Sequence, residues 1–323
     1  MRTLKRDHRV DIDMLDRLCY RIVNRNPPDR QAIARQFARW RCTVQDCLRS
    51  GNDGIAVFDQ DWDVLIVLDA CRYDAFKEHA SLPGHLEAVR SRGSVTPEWI
   101  RANVAGRNLT DTVCVAANGH YIKLADELDA RWHAFEAVVE DELADAEGSL
   151  LVASPGAVTE RARAALKQYP RKRIVIHYVQ PHTPYLGELG RKHFEPGRAL
   201  ADIGTDPTFD RDLIVDAYHE NLELVLSSVE ELLDTAGPDI GRVVVTSDHG
   251  DLLGDRLWPL PVRQWGHIRN LHHPLLVRVP WHRLDVGARR DVIAEEPIDE
   301  QMMERADEKE RLTEHLRALG YAE

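Results

Sequence analysis

Apolar and polar residues alternate in two different ways along this chain. In Val64-Leu65-Ile66-Val67-Leu68 five apolar residues run without a polar break and stop at Asp69. A short, β-branched run of this kind predicts a strand buried on both faces. The same pattern recurs in Asp111–Gly119, in Arg173–Val179, in Arg242–Thr246 and in a last strand over His273–Pro280. Elsewhere apolar residues return every three or four positions. Val158 to Tyr169 reads as an amphipathic helix closed by Pro170, and Ile214 to Leu233 as a longer one. Tyr73 to His79 starts another helix, ended by Pro83-Gly84. The stretch 121–150 reads as acidic helix and loop anchored by Trp132 and Phe135, and 187–208 as a surface loop. Strands alternating with helices predict an α/β fold with a mostly parallel central sheet and helices on both faces.

The two ends differ from this middle. Residues 1–60 carry helical spacing in Ile12, Leu15, Leu18, Cys19 and Ile22, then in Ile33, Phe37, Trp40, Val44 and Cys47. They predict an N-terminal helical extension packed on a domain over 61–290. Residues 291–323 form a charged tail with a helix expected over Glu304–Leu319.

Charge narrows the partners. The 323 residues carry a formal net charge of -12. An acidic field of that size repels nucleic acid and anionic lipid. An anionic substrate therefore needs a local positive centre. The charge is mostly Asp, Glu and Arg with little Lys, a composition that suits a halophilic or GC-rich source. Five scattered cysteines without a Cys-x-x-Cys pair suit reduced thiols and a cytoplasmic location. No stretch has the ~20 apolar residues of a membrane span.

Candidate chemistry collects where the strands end. Open α/β sheets bind ligands beyond the carboxyl ends of their strands. Asp69 closes the first strand, and Asp248-His249-Gly250 follows the strand at 242. Ser94 and Thr96 precede Pro97-Glu98, a sequence that starts a helix, with Thr96 expected as its N-cap. A hydroxyl there meets the positive end of the helix, good placement for attack on a phosphate or sulfate ester. Both hydroxyls could equally serve as caps. His182 lies in the Pro-flanked loop Gln180-Pro181-His182-Thr183-Pro184-Tyr185, and His267 in Gln264-Trp265-Gly266-His267. Two carboxylates and an imidazole suit a divalent ion such as manganese, zinc, magnesium or calcium. Arg72 stands next to pair with an anion.

The ordered set resembles the sulfatase-like branch of the alkaline phosphatase superfamily, over roughly Trp62 to Trp281. It runs strand–Asp, Gly-Ser-x-Thr before a helix, His-x-Pro-Tyr, strand–Asp-His-Gly and a downstream Gly-His. The composition is similar to haloarchaeal members. The resemblance implies a sandwich around a large sheet, a divalent metal and a covalent intermediate on a side-chain oxygen. It implies Asp69, Asp248 and His249 as metal ligands together with the nucleophile. His182 and His267 would then handle substrate oxygens and the leaving group. Lipoteichoic acid synthases of the same superfamily follow their nucleophile with Glu and an aromatic at four and five places, and Asn at nine. Counting from Ser94 reaches Glu98, Trp99 and Asn103, so Ser94 is favoured as nucleophile over Thr96, which stays as a substrate-binding residue.

The sulfatase signature Cys-x-Pro-x-Arg is absent, and the tandem Asp-Asp is Asp69-Ala70 here. This favours phosphate mono- or diesters over sulfate esters as substrates of a hydrolase or transferase. One tightly held metal is expected. The rival expectation is a catalytically silent domain that binds a glycan or a protein partner.

Overall fold

The computed structural model describes residues 54–138, 152–195, 197–257 and 262–298, and before these Ile33, Gln36 and Trp40, all three helical. The rest of the N-terminal helical pair and the helix over 304–319 lie outside the described residues. The strands are β1 Val64–Asp69, β2 His85–Arg90, β3 Asn108–Ala116, β4 Arg131–Ala137, β5 Arg173–Pro181, β6 Gly241–Ser247, β7 Leu252–Arg256, β8 Arg263–Gly266 and β9 Arg278–Val286. The helices are α1 Tyr73–His79, α2 Thr96–Val104, α3 His120–Lys123, α4 Ala125–Leu128, α5 Pro155–Gln168, α6 Glu188–His193, α7 Leu200–Thr205, α8 Arg211–Thr235 and α9 Pro274–Val277.

Seven strands form one sheet in the order β2-β9-β6-β1-β5-β3-β4. The run from β6 through β1, β5 and β3 to β4 is parallel, and β9 is antiparallel to both of its neighbours. The unbroken apolar runs explain the burial. Side chains alternate across a strand, so each run feeds both faces. Val64, Ile66 and Leu68 enter a large core with α5 and α8, joined by Ile174, Ile176, Val243 and Val245. Leu65 and Val67 enter the opposite core with Trp99 and Ile100 of α2, joined by Val175 and Val244. Helices thus cover both faces, and β1, in the middle, is buried along its whole length.

Several segments differ from the sequence reading. The expected strand over 273–280 is the short helix α9 followed by the longer β9. Pro274 at its first turn, with the His273 side chain accepting from the Leu275 N–H, starts that helix. The stretch after 121 contains β4 as well as two short helices, and 187–208 holds α6 and α7. Strand β2 and the two-stranded β7–β8 ribbon were not anticipated. These are short or exposed elements whose side chains follow local contacts rather than a long period. Among the described residues no helix is long and apolar enough to cross a membrane. Cys71 and Cys114 are buried free thiols, and burial pushes both well above the usual thiol range.

Candidate active site

Parallel strands end at the same edge of a sheet. The carboxyl ends of β1, β5 and β6 therefore bring Asp69, the Pro181-His182 turn and Ser247-Asp248-His249 together. Asp69, Asp248 and His249 each offer a ligand atom, all within 4.8 Å of one another, and all three side chains are fully buried. The local backbone explains the aim of each. Ala70 adopts the left-handed conformation at φ 60°, which costs an ordinary residue about 1–2 kcal/mol. Its N–H donates to Asp248 Oδ1 at 3.1 Å and its carbonyl accepts from the Tyr218 hydroxyl of α8 at 3.0 Å. Those bonds hold the turn that follows Asp69. Asp248 Oδ1 also accepts from the His249 N–H at 2.8 Å.

The donor set fits a divalent cation. Asp248 Oδ2 is buried and has no hydrogen-bond partner. His249 Nδ1 lies 2.9 Å from the Gly250 carbonyl. A carbonyl only accepts, so Nδ1 carries the proton and Nε2 presents its lone pair toward Asp69 at 3.6 Å and Asp248 at 3.4 Å. Burial pushes His249 well below the ordinary histidine range, with His267 adding to the effect. Two buried carboxylates facing an unprotonated nitrogen repel one another, and a cation removes the repulsion.

The two candidate hydroxyls part company. Thr96 Oγ1 lies 3.2 Å from His249 Nε2 and 3.5 Å from each Asp69 oxygen. Ser94 Oγ shares its one proton between Glu98 Oε2 at 2.8 Å and the Ile268 carbonyl at 2.9 Å, and accepts from the Leu271 N–H at 3.3 Å. Every one of these partners lies outside the carboxylate–imidazole cluster. The favoured position of Ser94 beside the metal ligands is thus corrected in favour of Thr96. The N-cap is corrected too: Val95 is the capping residue and Thr96 is the first residue of α2. Freed from capping, the Thr96 side chain turns to the cluster at the positive end of a nine-residue helix. Register counting from Ser94 failed because Glu98, Trp99 and Asn103 are used internally. Glu98 anchors Ser94 and Asn270, Trp99 packs in the core, and Asn103 bonds Val57 and Trp99. Ser94→Ala is expected to lower unfolding stability by about 1–3 kcal/mol, the cost of unmaking buried hydrogen bonds. Its turnover on any accepted ester should stay within a few-fold of wild type, checked by thermal scans and steady-state rates.

Arg72 is also corrected. Its guanidinium is committed to Asp74 at 2.5 Å and Asp255 at 2.8 Å, and to the Asp251 carbonyl. These carboxylates raise its pKa against the opposing effect of burial. It is a structural clamp rather than an anion receptor.

The two loop histidines do reach the site. His267 packs its ring 4.5 Å from that of His249 and 5.2 Å from that of His182. Burial, with His267 adding, holds His182 down to about 4, so it is neutral near pH 7. Its Nδ1 donates to the Thr183 carbonyl at 2.6 Å. Asn221 of α8 fixes the loop by donating to the Pro181 and His182 carbonyls at 3.2 and 3.0 Å and accepting from the Leu186 N–H at 2.9 Å.

Sequence reasoning missed Asn118, His120 and Asp251. Asn118 Nδ2 donates to Asp69 Oδ2 at 2.6 Å and its Oδ1 accepts from the His120 N–H at 3.0 Å. Its signal was visible: it follows directly on a buried apolar run, as Asp69 does. Burial, with Lys123, His267 and His182 adding, pushes His120 down to about 3. Asp251 is 1% exposed and stands 3.4 Å from His267 Nδ1.

No family model matches this chain, and no curated protein matches it. Solved structures are similar in fold. The C-terminal periplasmic domain of EptC from Escherichia coli, in complex with zinc, shares 16% identity at a TM-score of 0.47, over 69% of this chain and 72% of that one. The soluble domain of lipooligosaccharide phosphoethanolamine transferase A from Neisseria meningitidis shares 13% at 0.48, over 70% and 76%. The C-terminal periplasmic domain of phosphoethanolamine transferase EptC from Campylobacter jejuni shares 14% at 0.44, over 84% and 91%. At such identities and TM-scores the likeness is one of overall shape, and this chain's chemistry rests on its own atoms.

Proposed function

We propose that this chain is a metal-dependent hydrolase or transferase of phosphate esters, with Thr96 as the nucleophile. The observation that carries the reading is the Thr96 hydroxyl set against His249 and Asp69 at the end of β1. Asp69, Asp248 and His249, with Thr96 beside them, are the residues that would hold a divalent ion. Mixed carboxylate and imidazole donors suit zinc or manganese better than calcium or magnesium. Such an ion supplies Lewis acidity, stabilising negative charge on the ester oxygens and on the nucleophile.

The chain's own groups do the rest. Thr96 Oγ1 attacks phosphorus as the bond to the leaving oxygen breaks, and its proton passes to a neighbouring base. His267 gives a proton to the departing oxygen. The second N–H of the Asn118 amide orients the substrate's oxygens, and neutral His182, whose Nε2 is left as an acceptor, takes the proton of the entering water or alcohol. Water or an acceptor alcohol then attacks the phosphothreonine ester and frees Thr96. The N-terminus of α2 favours the anion throughout, a local attraction within an acidic protein. Sulfate esters, of like geometry and lower charge, are the less favoured substrates.

The test is a screen of the purified protein against aryl phosphomonoesters, phosphodiesters and sulfate esters, with and without zinc or manganese. Turnover of a phosphate ester that is lost with chelator and restored by metal is expected. Metal-bound protein with no ester turnover would instead favour the silent, binding-only domain.

A further inference from the structure

Asp251 has no part in holding the proposed ion, yet its carboxylate is almost fully buried. A buried carboxylate is costly unless something compensates its charge. The nearby arginine does not serve. Arg72 reaches only the Asp251 backbone carbonyl, and its charge is spent on Asp74 and Asp255. The group that faces the carboxylate is the imidazole of His267, Nδ1 to Oδ1, at 3.4 Å.

Chain geometry makes this pairing deliberate. Strands β7 and β8 are antiparallel, with Leu252 opposite Gly266. Asp251 immediately precedes β7 and His267 immediately follows β8, so both stand at the same end of the ribbon. The position of Asp251 is fixed from the other side as well. The Gly250 N–H donates to the Leu276 carbonyl at 2.8 Å. A Cβ on Gly250 would stand 2.2 Å from the Leu275 carbonyl oxygen, so the backbone there cannot drift. Tyr185, from the loop that carries His182, is near enough to feel the Asp251 charge. Its hydroxyl is buried, and burial together with the Asp251 charge pushes it well above the usual phenol range.

We propose that Asp251 is the positioning residue for His267. It holds the ring by Nδ1, so that the opposite nitrogen, Nε2, is the one offered to the leaving-group oxygen. A carboxylate behind a histidine sets the tautomer and orientation of the ring in this way. The 3.4 Å separation is slightly longer than a hydrogen bond, and such contacts tighten when substrate binds. The inference rests on the proposed ester chemistry for its consequence, but the pairing itself can be read without turnover.

Two measurements on the full chain separate these. Nitrogen-15 NMR of the histidine rings, with His267 assigned by its loss in His267→Gln, reads the tautomer directly. Asp251→Asn keeps the shape and removes the charge. His267 is expected to carry its proton on Nδ1 in wild type and to change tautomer or lose that preference in Asp251→Asn. Unchanged His267 shifts would overturn the pairing whatever the activity. Steady-state rates read the consequence. Asp251→Asn should lower kcat by about 10²-fold for an alkyl phosphate, which needs a proton on its leaving oxygen. For 4-nitrophenyl phosphate, which leaves without help, the loss should be under about fivefold, with KM little changed. His267→Gln should show the same split, and the double variant no further loss. Equal losses on both esters, or additive losses, would reduce Asp251 to a packing residue. If wild type turns over no ester while the NMR result holds, the reading of function fails and the pairing stands.

Discussion

Thr96→Ala is expected to lower kcat/KM on the best phosphate ester by at least about 10³-fold, about 4 kcal/mol of transition-state stabilisation. The size follows from what is removed. Methyl and hydroxyl are lost together, but only the hydroxyl stands 3.2 Å from His249 Nε2. Of the two hydroxyls nearest in sequence to the cluster, Ser94 shares its proton between Glu98 and Ile268, and Ser247 donates to the His249 carbonyl while accepting from the Cys71 N–H. Thr96→Ser keeps the oxygen and should recover turnover to within about tenfold of wild type. Trapping would show the same assignment another way. A phosphorylated peptide containing residue 96 should be found by mass spectrometry after acid quenching of wild type and be missing from Thr96→Ala. Full activity in Thr96→Ala, with a dead Ser94→Ala, would return the nucleophile to position 94.

Asp248→Asn should abolish tight metal binding without unfolding the protein. Asn keeps an oxygen for the Ala70 and His249 N–H groups, so the scaffold bonds at 3.1 and 2.8 Å survive. What disappears is one of two negative charges in a fully buried cluster. Without metal, the variant is therefore expected to be at least as stable as wild type, because like charges at close range destabilise the folded state. With metal the order reverses. A ligand that binds only the folded state adds about 2.7 kcal/mol at a hundredfold excess over its Kd. Wild type should show the corresponding rise in Tm on adding zinc or manganese, and Asp248→Asn should show almost none. Thermal scans with elemental analysis check both halves. An equal rise in the variant would place the ion elsewhere.

Much of this was legible one residue at a time. The unbroken run from Val64 to Leu68 specified a central strand because only a strand covered on both sides can bury every position. The periodicity from Ile214 to Leu233 specified α8 for the same reason on one face. Asp69, Asp248 and His249 followed from standing just past such runs, since parallel strands deliver their ends to one edge. Short elements were harder. Strand β2 is mostly exposed and β7–β8 is a ribbon of a few residues, so neither carries enough apolar period to be recognised. Ser94 and Thr96 sit two residues apart in one turn, and no local rule says which of them turns inward. Motif spacing from Ser94 matched residues that are occupied with packing.

Local sequence alone determined the central parallel strands, the two long helices and the acidic and imidazole groups at the strand ends, because burial demands and strand direction act residue by residue. Tertiary structure decided that Thr96 rather than Ser94 faces the cluster, that Arg72 is locked between Asp74 and Asp255, and that Asn118 and Asp251 back the site. Those outcomes depend on which distant chain segment arrives opposite a side chain, and such pairings are set by sheet order and packing, not by spacing along the chain.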